Sequence, residues 1–210
     1  MTTTGRAIRL GLTGPIGCGK STVARWIGER DDTLVIDADQ VARDVLADGR
    51  PELDAVYERF GTELALADGT LDRAALADTV FSDPQALRDL EAIVHPAVRS
   101  TILDDLARAD AQGVRLVVVE AIKLVEGPLA DECDAIWLIT CAADVQSERL
   151  VTRGASRDDA AARIAAQGDI VGRVAPRATA VLDTSGSPAA TRDAVEVALD
   201  ALLESLSPKA

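Results

Sequence analysis

Lysine is nearly absent from this chain: three lysines stand against nineteen arginines in 210 residues. The net charge is −13, so no basic stripe is available to neutralise a phosphate backbone or an anionic membrane. An anionic ligand must therefore be captured by local positive groups. Aromatic residues make up 2% and there is one histidine. Cys18, Cys133 and Cys141 are odd in number and lack metal-ligand spacing, which suits a reducing cytoplasm. No apolar run approaches membrane-spanning length, and the polar start Met1-Thr2-Thr3-Thr4-Gly5-Arg6 has no signal-peptide pattern. The expectation is a cytoplasmic protein that engages neither nucleic acid nor membrane.

What is present points to one α/β domain. A hydrophobic fraction of 48% argues against disorder, and the length is enough to bury a core. Five short, β-branched runs read as buried strands: Ala7–Thr13, Thr33–Asp37, Val114–Val119, Ala135–Thr140 and Ala180–Asp183. They alternate with helical patterns, the mark of a parallel sheet covered by helices. The crossover between the second and third runs, about 40–112, is far longer than geometry requires and is broken at Gly49-Arg50-Pro51, Gly61, Gly69 and Asp83-Pro84. It is expected to form a helical subdomain over the sheet edge, where an acceptor substrate binds.

The first run leads into Gly14-Pro15-Ile16-Gly17-Cys18-Gly19-Lys20-Ser21-Thr22, followed by a helical pattern. Strand, glycine-rich loop and helix in this order cradle a polyphosphate. Gly14, Gly17 and Gly19 let the backbone aim several N–H groups inward, so that a polyphosphate sits against them and the N-terminus of the next helix. Lys20, read as an exposed loop lysine, reaches the β/γ-phosphates, and the Ser21 hydroxyl ligates Mg²⁺. Cys18 reads either as a thiol activated by the helix N-terminus or as a small filler side chain.

Acidic groups close two strands. In Ile36-Asp37-Ala38-Asp39 the carboxylates lie on one side of the chain at the strand end where open α/β sheets bind ligands. Asp39 either accepts the proton of an attacking hydroxyl or caps a helix starting at Gln40. Glu120 ends the third strand and can hold Mg²⁺ through water, while Lys123 either pairs with Glu120 or Glu126 or contacts substrate. After the fourth strand, Arg149 and Arg153 stand four apart, so on a helix they share a face. They either clamp phosphates bidentately or form a solvated face. Their place before the last strand is that of a lid, about 149–177, in small kinases that close over ATP.

The chain resembles the dephospho-coenzyme A kinase family, and the resemblance covers nearly its whole length. It is carried by Gly11–Ala24; Val35-Ile36-Asp37-Ala38-Asp39 with Ala42-Arg43; Leu71–Leu76; Phe81 followed by Leu90–Pro96 with Ile-Val-His-Pro; the arginine helix; Ile164–Gln167; and Val181-Leu182-Asp183. It implies a three-layer P-loop kinase fold, a five-stranded parallel sheet with helices on both faces, a helical acceptor subdomain and a small lid. It further implies transfer of the γ-phosphoryl of ATP to the ribose 3′-hydroxyl of dephospho-CoA, with Mg²⁺, by a monomer or weak homo-oligomer. In that reading Asp39, Lys20 and Arg149 are catalytic. Gly14, Gly17, Cys18, Gly19, Lys20, Ser21, Thr22, Arg153 and Asp183 bind ATP, and Asp37, Arg43, His95 and Glu120 lie on the acceptor side. The chain departs from the family pattern at Ala121-Ile122-Lys123, where a proline is lost and a lysine enters, and at Asp183-Thr184, where an acid-asparagine pair is usual. A GTPase switch lacks its Asn-Lys-x-Asp guanine motif here. Another small-molecule or nucleoside-monophosphate kinase and a non-catalytic nucleotide-binding module are the remaining alternatives.

Overall fold

The computed structural model describes residues 5–206, so the polar start at 1–4 and Lys209 lie outside the described residues. Strands β1 (Ile8–Thr13), β2 (Thr33–Asp37), β3 (Leu116–Glu120), β4 (Ala135–Thr140) and β5 (Ala180–Asp183) form one sheet in the order β2-β3-β1-β4-β5. β1 pairs in parallel with both β3 and β4, and β4 with β5. The helices are α1 (Lys20–Gly28), α2 (Ala38–Asp44), α3 (Pro51–Phe60), α4 (Arg73–Ser82), α5 (Pro84–Ala111), α6 (Ala143–Thr152), α7 (Arg157–Ala166), α8 (Ile170–Val174) and α9 (Pro188–Leu206). None of them is long and apolar enough to cross a membrane among the described residues.

Register decides which side chains share a face. Leu10 stands beside Val118 and Ala135, and Leu12 beside Trp137, so these point to one side and pack under Val23 and Ile27 of α1 and Val195 and Leu199 of α9. The alternate residues Val117, Val119, Ile136 and Leu138 are also buried, on the other face. A side chain at Gly11 on that face would collide with Leu124, which closes it. Burial on both sides explains why β1, β3 and β4 read as continuous apolar runs rather than alternating ones. The third strand starts at Leu116, two residues later than expected. Val114 instead donates its N–H to the Ala109 carbonyl behind Gly113 (φ 71°), closing the end of α5.

The chain divides into two compact units: the sheet unit, up to Ile36 and from Arg108 onward, and a helical unit from Asp37 to Ala107. Within the helical unit, Pro51 opens α3 and Gly61 closes it. Asp72 caps α4 by accepting from the N–H groups of Ala74 and Ala75. Arg59 donates to Asp89 at 2.7 Å. α5 continues through Pro96, which has no N–H for the helical ladder.

Candidate active site

The loop between β1 and α1 has a shape few residues besides glycine tolerate. Gly14 has φ 142° and a Cβ there would run into the Ile139 carbonyl of β4. Gly19, the N-cap of α1, is left-handed at φ 84°. Thr22 and Val23 both donate to the Gly19 carbonyl and start the helix. Lys20 proves buried rather than exposed, at 7%. Its Nζ donates to the carbonyls of Gly14 at 2.9 Å and Pro15 at 3.1 Å, curling the loop around its ammonium. Ser21 Oγ donates to Glu120 Oε1 at 2.6 Å, and Glu120 is buried. Two hard oxygen donors thus meet at the foot of the loop. That suits Mg²⁺, which takes one or two protein oxygens and fills its remaining positions with phosphate and water. No cluster of three or more His, Cys, Asp or Glu side chains suited to a metal occurs among the described residues.

Residues from the stretch between β4 and β5 and from just past β5 grip the loop. Gln146 of α6, buried, donates Nε2 to the Ile16 carbonyl at 2.7 Å, and Gln167 at the end of α7 accepts from the Ile16 N–H at 2.8 Å. Thr184, just past β5 and 3% exposed, donates Oγ1 to the Cys18 carbonyl at 2.8 Å, and its own N–H goes to Thr140. Arg149 then donates Nη1 to Thr184 Oγ1 at 2.9 Å and Nη2 to the Thr184 carbonyl at 2.6 Å, with Gly17 O at 3.5 Å. Its guanidinium therefore lies against the loop, held by neutral oxygens. Arg153 does not share this setting: α6 ends at Thr152, and Arg153 is its exposed C-cap.

Sequence reasoning missed Gln146 and misjudged Thr184. Gln146 belongs to no motif; its one signal is a polar side chain one turn before Arg149 on the same helix. Thr184 reads as a departure from the family pattern beside Asp183, yet it joins β4, the loop and Arg149. Asp183 itself is exposed and accepts from the Ser185 N–H at 2.6 Å. Hydrogen bonding to Ser185, helped by the Arg149 charge, holds its carboxyl below the usual range.

In the helical unit the capping question resolves against Asp39. The cap of α2 is Asp37, whose Oδ1 accepts from the N–H groups of Asp39 at 2.9 Å and Gln40 at 3.1 Å. The helix starts at Ala38 rather than Gln40, which puts Asp39 in its first turn. Arg43, one turn on, lies 4.0 Å from Asp37 Oδ2 and donates to Gln40 at 3.0 Å. Its carbonyl accepts from Arg73 at 2.8 Å. His95 is exposed in the interior of α5.

The dephospho-CoA kinase family model matches residues 8–189. A dephospho-CoA kinase of Moorella thermoacetica is 40% identical over 202 residues, 94% of this chain and 93% of that one. The crystal structure of TT1252 from Thermus thermophilus superposes with a TM-score of 0.79 at 35% identity, covering 97% of this chain and all of that one. Dephospho-CoA kinase from Campylobacter jejuni shares the fold, with a TM-score of 0.71 at 24% identity over 95% of this chain and 98% of its own. The chain, an α/β three-layer kinase fold, belongs to the dephospho-CoA kinase family, whose members catalyse the ATP-dependent last step of coenzyme A biosynthesis.

Proposed function

We propose that this protein transfers the γ-phosphoryl of ATP to the ribose 3′-hydroxyl of dephospho-CoA, with the loop 14–22 holding the polyphosphate and Asp39 receiving the hydroxyl proton. The observation that carries this reading is the loop itself: it holds the buried Lys20 ammonium on its own carbonyls, and the Arg149 guanidinium lies against it on neutral oxygens. An anionic phosphate oxygen is a stronger acceptor than a carbonyl, so it displaces these bonds on binding. Lys20 and the loop N–H groups then stabilise charge on the transferring group, and Arg149 adds a planar donor from the lid side. Arg153 and Asp183 are assigned to the nucleotide, Asp183 through its carboxylate fixed by the Ser185 N–H.

Ser21 and Glu120 would hold Mg²⁺, which neutralises phosphate charge when bound. Glu120 thereby fits the metal side better than the acceptor side. The acceptor-side assignments that remain are Asp37, Arg43 and His95. Asp37 acts by fixing the start of α2, which sets the direction of the Asp39 side chain. The carboxylate of Asp39 accepts the proton as the hydroxyl oxygen attacks phosphorus and ADP leaves. The protein is expected to work in the cytoplasm as a monomer or weak homo-oligomer, without nucleic acid or membrane. ATP consumption against dephospho-CoA, adenosine, AMP and shikimate tests the reading. Dephospho-CoA should be turned over far faster than the other three, and a clear preference for another acceptor would replace it.

A further inference from the structure

The phosphate loop carries a thiol that the phosphoryl-transfer chemistry does not use. Cys18 is 1% exposed and belongs to the buried core cluster that also holds Val23 and Ile139. Its Sγ meets the Sγ of half-buried Cys141 at 2.7 Å. Both thiols are reduced. The two backbones are braced by one residue, since Thr184 donates its hydroxyl to the Cys18 carbonyl and its N–H to the carbonyl of Thr140, the neighbour of Cys141. A disulfide bond is about 2.05 Å long, so closing this pair needs less than an ångström of movement in sulfurs already held face to face.

We propose that Cys18 and Cys141 form an oxidation site that a hydroperoxide closes to a reversible disulfide, sparing the phosphate loop irreversible oxidation. The more accessible sulfur reacts first. The Cys141 thiolate attacks one peroxide oxygen, the O–O bond breaks, and the departing oxide leaves as water or alcohol, with Cys141 as a sulfenic acid. The Cys18 sulfur then displaces hydroxide from it, and that hydroxide leaves as water with the Cys18 proton. The two sulfurs together give up two electrons and the peroxide gains them. Burial and the neighbouring Cys141 push the Cys18 thiol up to about 12, which keeps it from reacting with peroxide directly; in the second step it is the contact with Cys141 that brings it into reaction, its proton passing to the departing hydroxide as the S–S bond forms.

The uncharged product matters because of where it forms. A sulfinate under this loop would place a fixed anion beneath the N–H groups that receive a polyphosphate, whereas a disulfide adds no charge. Cys133 is an internal control: it is free, and its Sγ donates to the Leu129 carbonyl at 3.5 Å rather than meeting another sulfur.

The test treats the full-length protein with limiting hydrogen peroxide, alkylates the remaining thiols and maps the peptides by mass spectrometry. The expected result is one joined peptide pair carrying Cys18 and Cys141, with Cys133 alkylated, and full reversal by dithiothreitol. The oxidised protein should melt at a higher temperature, because the new bond links positions 123 residues apart and so restricts the unfolded chain. In Cys18→Ala, Cys141 has no resolving thiol and should proceed to sulfinic acid under the same treatment. Sulfinic acid at Cys141 of the unaltered protein, a joined peptide containing Cys133, or a lower melting temperature after oxidation would each overturn the proposal.

Discussion

The two ends of the central strand treat positive charge differently. At the start of β1, Arg9 is buried with two carboxylates, Glu132 and Asp110, each at 3.0 Å. Asp110 also accepts the Ala7 N–H, and Asp134 accepts the Arg9 N–H and binds Arg6. Past the end of the same strand, the Arg149 guanidinium meets carbonyl and hydroxyl oxygens, and Lys20 curls onto two loop carbonyls. A guanidinium already matched by carboxylates has little to offer an incoming anion. One resting on neutral dipoles can exchange them for phosphate. The first arrangement serves the fold and the second serves a ligand, although the same residue type appears in both.

The largest effect that would break this comparison concerns Lys20. Lys20→Met keeps the buried stem and removes the charge, so kcat should fall roughly a thousandfold while the melting temperature moves little. Near-normal turnover in a folded variant would place the phosphate charge elsewhere. Next comes Asp39→Asn, expected to lower kcat about a hundred- to ten-thousandfold with ATP affinity nearly unchanged. Because Asp37 holds the cap, Asp39→Asn should leave thermal stability intact; a loss of stability with normal turnover would return Asp39 to a structural role.

Thr184 sharpens the contrast from the ligand end. Thr184→Val keeps the shape but removes the hydroxyl that links Cys18 to Arg149, at a cost of about 2 kcal/mol, or tens of fold in kcat. Thr184→Ser should restore most of that loss. Equal kinetics in the two variants would show that the loop does not depend on this hydroxyl. At the other end of β1, Arg9→Met leaves Asp110 and Glu132 partly exposed without their cation. About 2 kcal/mol of stability should be lost in urea unfolding, with kcat of the folded protein unchanged.

Much of this was legible in the residues, for a physical reason. A strand buried on both faces must be apolar throughout, so β4 stands out with its observed bounds; the partly exposed β2 and β5 also have the bounds read from their short β-branched runs, and the breaks at Gly61 and Pro84 follow from backbone sterics. The phosphate loop is legible because Gly14 and Gly19 occupy conformations that other residues avoid. Thr184 and Gln146 were not, since a threonine or glutamine that satisfies a distant backbone group looks no different in sequence from one facing water. The capping of α2 by Asp37 rather than Asp39 turns on a two-residue difference in where the helix begins, which periodicity over so short a helix does not fix.

The smallest expected effect is a pH dependence. The Cys18 thiol is raised from 9.0 to about 12, chiefly by burial, so the folded protein keeps a proton that the unfolded chain releases. Its contribution to stability is complete below the unfolded value and declines as pH rises from there towards the folded one. Urea midpoints measured from about pH 8 to pH 10 should fall less steeply in Cys18→Ala. Identical slopes would mean that the thiol is not held protonated by the core.

The most direct test of the account is to follow ATP and dephospho-CoA by phosphorus NMR in the presence of the unaltered protein and of Lys20→Met. The account predicts ADP and a ribose 3′-phosphate appearing in equal amounts with the unaltered protein, and almost none with a variant of matching melting temperature. A folded, unaltered protein that leaves dephospho-CoA unphosphorylated, or a Lys20→Met variant that phosphorylates it equally well, would contradict it.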